Sequence, residues 1–254
     1  MRDDELLRYS RQILLPQIDI EGQEKIKNSK AILVGLGGLG SIISMYLASS
    51  GVGEIILIDH DEIDVSNLQR QILFKTKDIG NKKVLTAQKV LKDINPNVNI
   101  RAFVGTIQKA ASNKVIQNAD VYIDATDNFK SRFFLNKLSL QHKVPLVSGA
   151  AIRFEGQISV FNLKPSSPCY HCLFNSAGHT SDENCSTNGV LSPLLGVIGS
   201  MQAIESLKIL AEFGTTLDGL LMLFDSQIIS WNTLKLSKDP ECNVCGTPKS
   251  EILL

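Results

Sequence analysis

The chain has 254 residues, 43% of them hydrophobic and 20% charged, with 26 Lys+Arg set against 26 Asp+Glu. This balance excludes a surface that attracts nucleic acid or an anionic membrane as a whole, so phosphate binding has to come from a local site. Five cysteines in a chain sized for one large domain exclude a disulfide framework, leave metal binding or catalysis in a reducing compartment, and with the charged opening MRDDELLRYSRQ, which is no secretory signal, predict a cytoplasmic protein.

In chain order, residues 3–28 read as a helical N-terminal segment with Leu6, Leu7, Ile13, Leu14 and Ile26 as its apolar contacts. Strands and helices then alternate: strand 31–34, helix 39–50, strand 54–58, helix 82–94 stopped by Asn95-Pro96, strand 98–103, weak helix 110–117, strand 121–124, helix 130–142 and strand 145–148. Alternation of this kind predicts parallel βαβ units with right-handed crossovers. After Gly149 the pattern changes. Strand 157–163, an apolar helix over 190–210, and strands 220–224 and 228–236 joined by Asp225-Ser226-Gln227 read as an antiparallel continuation. The apolar stretch is interrupted by Ser192, Pro193, Ser200, Gln202, Glu205, Ser206 and Lys208, short of the ~18 uninterrupted residues of a membrane span. The expected fold is a Rossmann-like mixed α/β sheet, parallel over residues 1–149 and antiparallel over 150–254, within a single domain.

GLGGLGS, starting at Gly35, follows the first strand and opens the first long helix. In such a frame Gly35 permits the tight turn, Gly37 lets backbone approach phosphate, and Gly40 lets helix and strand pack closely. The helix then directs its unpaired N–H groups at an anion. Asp59 ends the next strand, about 20 residues on, where a carboxylate accepts from ribose hydroxyls. Up to this point the fingerprint says nucleotide without saying which. Arg70 and Lys83 add cations for a polyphosphate, and Asp127 follows the strand 121–124. Ligands in these sheets bind at the carboxyl ends of strands, and a carboxylate there suits Mg²⁺ bridged to substrate oxygens.

Cys169-Tyr-His-Cys172 and Cys242-Asn-Val-Cys245 are two Cys-x-x-Cys pairs. Four thiolates so spaced match a closed, tetrahedral, structural Zn²⁺ site that clamps the C-terminal tail to the segment after strand 157–163. A thioredoxin-like redox pair is the rival reading, and His171 is read as a bystander. Cys185 is left over, in Glu183-Asn-Cys-Ser-Thr-Asn-Gly189, after the polar stretch 175–184 that reads as a loop. Two readings stay open for it: a small buried hydrophobe, or a thiol made nucleophilic at a helix start.

RYSRQ at residues 8–12, GLGGLGS, DHDEIDVSNLQRQILF, the Lys82-Lys83 pair, ATDN at 125–128 and both Cys-x-x-Cys pairs together resemble the ThiF/MoeB adenylyltransferases, relatives of the ubiquitin-activating enzymes, over nearly the whole chain. The resemblance implies a nucleotide site of Gly35, Gly37, Gly38, Gly40, Asp59, Asp61, Asn67, Arg70, Lys83, Asp127 and Asn128. It implies catalytic roles for Arg70, Lys83 and Asp127, an Arg11 that reaches into the partner's site in a homodimer, and a Cys185 that links to the carrier during sulfur transfer. The implied substrates are ATP with Mg²⁺ and a small ubiquitin-like sulfur-carrier protein ending in Gly-Gly, whose carboxylate becomes an acyl-adenylate. RYSRQILL, QRQILF and NCSTNG lean to the thiamine branch, while VSGAAIRFEGQISVF sits equally well in the molybdopterin branch. With no rhodanese-like extension after Cys245, sulfur is expected from a separate cysteine desulfurase or rhodanese-type protein. Two competing readings are an NAD-dependent oxidoreductase on the same glycine loop and a non-catalytic binding module; the first leaves Arg70, Lys83, Asp127 and the cysteine pairs unexplained.

Overall fold

A computed structural model of the chain describes residues 1–174 and 188–246. Its centre is one eight-stranded sheet in the order β3-β2-β1-β4-β5-β6-β7-β8. The strands are β1 Lys30–Val34, β2 Glu54–Asp59, β3 Asn99–Val104, β4 Val121–Asp124, β5 Leu146–Ile152, β6 Glu155–Phe161, β7 Leu220–Asp225 and β8 Ser230–Lys235. Pairs from β3 through β5 are parallel, and those from β5 to β8 antiparallel. Helices α4 Gly38–Ser49, α5 Lys83–Ile94, α6 Ile107–Ser112 and α7 Phe129–His142 connect the parallel strands.

Both sheet faces are buried because β1 and β2 alternate two apolar sets. Ala31, Leu33, Ile55 and Leu57 pack toward α4 and α5, while Ile32, Val34, Ile56 and Ile58 join Ile107, Leu135 and Leu138 on the other side. Continuous Val/Ile/Leu strands are what a two-sided parallel sheet requires. The antiparallel half is covered on the first face by α9, Ser192–Ala211, through Leu194, Leu195, Ile198 and Ala203.

The expected helical N-terminal segment divides into three helices: α1 Asp3–Arg8, α2 Ser10–Ile13 and α3 Asp19–Asn28. Pro16 disfavours helix in the residue before it, and Asp19 then turns the chain with φ 52°. The weak helix expected at 110–117 lies earlier, at Ile107–Ser112, because Thr106 caps it by accepting from the Lys109 N–H. The strand expected at 145–148 runs on to Ile152 and turns through Arg153, φ 53°, straight into β6. Helix α9 is, contrary to expectation, long and apolar enough to cross a membrane by length and composition, yet over half of it is buried against the sheet and α4. Its polar Gln202, Glu205 and Ser206 are buried and bonded inside the protein.

Candidate active site

Strands β1, β2 and β4 end level with one another: Val34 pairs with Ile58 and with Asp124. The loops leaving these ends enclose a cavity of about 380 Å³. Gly35 has φ 93°, and a Cβ there would meet the Ala125 carbonyl oxygen at 2.6 Å. At Gly40 a Cβ would lie 1.9 Å from the Gly35 carbonyl oxygen. These two glycines therefore shape the loop from behind. Gly37 and Gly38 line the cavity itself, and at Gly37 the space stays open, with the Gln71 amide nitrogen nearest at 3.8 Å.

Asp59 closes this loop onto β2. Its Oδ2 accepts from the Leu36 N–H at 2.6 Å and its Oδ1 from the Asp61 N–H at 2.8 Å. Each oxygen keeps a lone pair for a further donor, so a ribose hydroxyl can be received without breaking either bond.

The cations come from the segment after β2. Asp64 caps a short 3₁₀ turn, Val65–Asn67, accepting from the Ser66 N–H at 2.8 Å, while Asn67 Oδ1 accepts from the Asp64 N–H at 3.3 Å. The Ser66 hydroxyl and N–H hold the Asp64 carboxyl below its ordinary range. Arg70 follows, its Nη1 donating to the Ser66 carbonyl at 3.0 Å. Lys83, only 4% exposed, opens α5 and places Nζ 2.8 Å from Asp61 Oδ2. Asp61, Asn67, Arg70, Lys83 and Asp127 all line the cavity with Asp59.

Not every residue singled out from sequence does so. Asn128 is the N-cap of α7, accepting from the Ser131 N–H at 2.9 Å, and does not line the cavity. Arg11 lies exposed on α2, away from the cavity wall. Cys185 falls outside the described residues. Among the lining or supporting residues that escaped the sequence reading are Arg132, Gln71 and Asp124. Asp124 is fully buried, accepting from Thr126 N–H and Oγ1 and from Ser148 Oγ. A buried carboxylate and an arginine eight residues later in a strand–loop–helix carry no distinguishing pattern by themselves; only the fold brings them to one place.

The cavity wall carries five carboxylates, Asp59, Asp61, Glu62, Asp64 and Asp127, against three cations, Arg70, Lys83 and Arg132. It is therefore acidic on balance, and a polyanion held there requires positive charge beyond what the chain itself places at the wall.

The four paired cysteines form a second, separate site. Cys169 caps a short helix, α8 Tyr170–Leu173, and Cys242 and Cys245 follow β8. The Sγ atoms of Cys169 and Cys172 are 3.8 Å apart, as are those of Cys169 and Cys242, and Cys172 and Cys245 are 3.4 Å apart. A disulfide needs about 2.05 Å. Tetrahedral zinc with Zn–S of about 2.3 Å places neighbouring sulfurs about 3.8 Å apart, so this donor set fits zinc. The Asp239 N–H donates to Cys172 Sγ at 3.4 Å, a backbone bond of the sort that orients a thiolate ligand. Burial pushes the Cys169 thiol up to about 11; a bound cation is what would keep it ionised.

The ThiF family matches residues 9–244. Among curated relatives, the molybdopterin-synthase adenylyltransferase of Escherichia coli is 44% identical over 97% of this chain and 98% of its own length. The sulfur carrier protein ThiS adenylyltransferase of the same organism is 39% identical over 97% of each. Among solved structures, E. coli MccB with ATP superposes with a TM-score of 0.82 at 25% identity, covering 94% of this chain and 73% of that one. This chain belongs to the ThiF family.

Proposed function

We propose that this ThiF-family chain adenylates the C-terminal Gly-Gly carboxylate of a small ubiquitin-like sulfur-carrier protein, consuming ATP and releasing pyrophosphate. The observation that carries the reading is the composition of the cavity: a glycine loop, a ribose-ready carboxylate and three cations, with the one hydroxyl among its described lining residues, Thr126 Oγ1, donating to Asp124 at 2.7 Å. That wall suits a reaction in which the substrate brings its own nucleophile. A carboxylate is ionised at neutral pH and attacks the α-phosphate directly, so the barrier is mainly the approach of one anion to another. Preorganised cations in a shielded pocket are the means of lowering such a barrier.

In this reading Gly37 and Gly38 take the phosphates by backbone N–H, Asp59 holds the ribose, and Asn67, Arg70 and Lys83 line the triphosphate. Asp127 is the carboxylate placed to hold Mg²⁺, which when bound supplies positive charge that an acidic wall lacks. Arg11 from the partner subunit of a homodimer supplies more. The cysteine set holds zinc as a structural clamp. Residues 1–149 make the nucleotide half and 150–254 the carrier-binding half of one domain. Cys185 takes part in sulfur loading, with sulfur delivered by a separate donor protein, and the enzyme works in the cytoplasm.

The test is ATP–pyrophosphate exchange with carriers ending in Gly-Gly. The motifs around Arg11, Arg70 and Cys185 make a thiamine-pathway carrier the first to try; the 44% identity to the molybdopterin-synthase enzyme makes the molybdopterin synthase small subunit the second reading. Carrier-dependent exchange with one of them is the expected result. Nucleotide binding without exchange on either would leave only a binding module.

A further inference from the structure

One buried donor at the cavity has no hydrogen-bond acceptor among the described residues. Arg132 lies in the first turns of α7 with its side chain 11% exposed. Its Nη2 donates to the Thr126 carbonyl at 2.8 Å and its Nη1 to the Tyr170 hydroxyl at 3.5 Å. Its Nε is buried and unpaired among the described residues. Asp124 Oδ2, at 3.9 Å, is the nearby anion, too far for a hydrogen bond and already engaged by Ser148. The fully buried Asp124 carboxylate offsets the charge, but the Nε hydrogen itself makes no bond, and an anionic oxygen arriving in the cavity would supply one.

The same helix grips the first cysteine pair. Tyr170, 1% exposed, stands between Cys169 and Cys172. Asn136, one turn beyond Arg132, accepts the Tyr170 N–H at 2.9 Å. Phe133 packs edge-on to the Tyr170 ring at 5.7 Å and to the His171 ring at 5.2 Å. Backbone and ring of Tyr170 are thus fixed by the cysteine knuckle and α7 together, and its hydroxyl meets the guanidinium. The Tyr170 hydroxyl accepts from Arg132 Nη1.

Position in the sheet indicates which anion Nε serves. The glycine loop leaves β1, whereas Arg132 follows β4 and lines the cavity together with Ala150 and Ala151 of β5. Ala150 and Ala151 put only methyl side chains on that part of the wall. We propose that Arg132 receives the incoming Gly-Gly carboxylate through Nε, and that Tyr170, held in the zinc knuckle, is the positioning residue that aims it. The proposal rests on the adenylation reading above and deepens it: the metal clamp orients a substrate-binding cation.

The experiment is a calorimetric titration in the presence of a non-hydrolysable ATP analogue, using a Gly-Gly carrier with a free C-terminus and the same carrier amidated there. Wild-type protein is expected to prefer the free carboxylate by about 10- to 100-fold, the span of a charge-assisted hydrogen bond. Arg132→Gln should lose that preference while keeping about one zinc per chain. Arg132→Lys, which keeps the charge without the fork, should recover only part of it. Tyr170→Phe should retain zinc and raise the carrier KM several-fold with little change in kcat. An undiminished preference in both Arg132 variants overturns the proposal, and a Tyr170→Phe carrier KM equal to wild type overturns the link to the knuckle. Wild-type protein with no carrier-dependent exchange overturns the adenylation reading itself, a result distinct from either.

Discussion

Lys83 Nζ lies 2.8 Å from Asp61 Oδ2, with the lysine side chain 5% exposed and the aspartate 50% exposed. The two partners of this ion pair therefore differ in how much they depend on each other. Removing Asp61 leaves a buried ammonium without its counter-ion; removing Lys83 leaves a carboxylate that water already reaches.

The asymmetry has a measurable consequence. Asp61→Ala should lower unfolding free energy by about 1–2 kcal/mol, less than the 3–5 of a fully buried pair because one partner is solvated. Lys83→Met should cost under about 1 kcal/mol in stability and yet reduce ATP–pyrophosphate exchange by about 100-fold or more. Urea denaturation and exchange assays on the two variants check this; equal stability losses would contradict the burial argument.

The glycines of the loop separate in the same way. Gly40→Ala puts a methyl 1.9 Å from the Gly35 carbonyl oxygen, so the loop must open, at a cost of about 2 kcal/mol or more. Gly37→Ala meets open space on the protein side and should leave stability within about 0.5 kcal/mol, with its loss confined to nucleotide affinity. Thermal melts with and without ATP distinguish them: only Gly37→Ala should keep its melting temperature while losing the ATP-induced rise.

For the cysteine site, elemental analysis of purified protein should find about one zinc per chain. Chelation, or Cys172→Ser, should lower Tm by more than about 5 °C and make the tail after β8 susceptible to protease. Protein purified without zinc and unaffected by chelator would eliminate the clamp.

Arg11 and Lys83 can be tested against each other if sites are completed across a dimer. Arg11→Ala and Lys83→Met chains, each inactive alone, should on mixing and reassembly recover about a quarter of wild-type exchange, since half the chains pair with the other variant and each such dimer has one intact site. No recovery would place Arg11 outside the partner's site.

Cys185→Ser should leave exchange within about twofold of wild type, because adenylation requires no enzyme thiol, and should abolish sulfur loading of the carrier by its donor protein. Parallel loss of both activities would reduce the residue to a folding role.

Much of this protein can be read along the chain because its physical causes are local. Residues 31–34 and 55–58 are apolar throughout and so declare a sheet buried on both faces; Gly35 and Gly40 sit where a side chain cannot; the spacing of Cys169, Cys172, Cys242 and Cys245 is itself a ligand pattern, and the structure brings their sulfurs to zinc distance. The family follows from motifs of that kind. The length of β5 was harder to read, since it depends on what the segment packs against.

What only the tertiary structure decided is how these parts act on one another. Asp61 and Lys83 are separated by a loop in sequence and joined by an ion pair in space. Asn128, which the motif placed with the nucleotide, caps α7. Arg132 has no motif, and becomes part of the site because β4 and α7 carry it to the cavity while Tyr170 arrives from the cysteine knuckle to hold it. Sequence determines which chemistry a residue can perform; burial and direction, which decide whether a cation is aimed at a substrate or solvated on a surface, are properties of contacts between segments far apart in the chain.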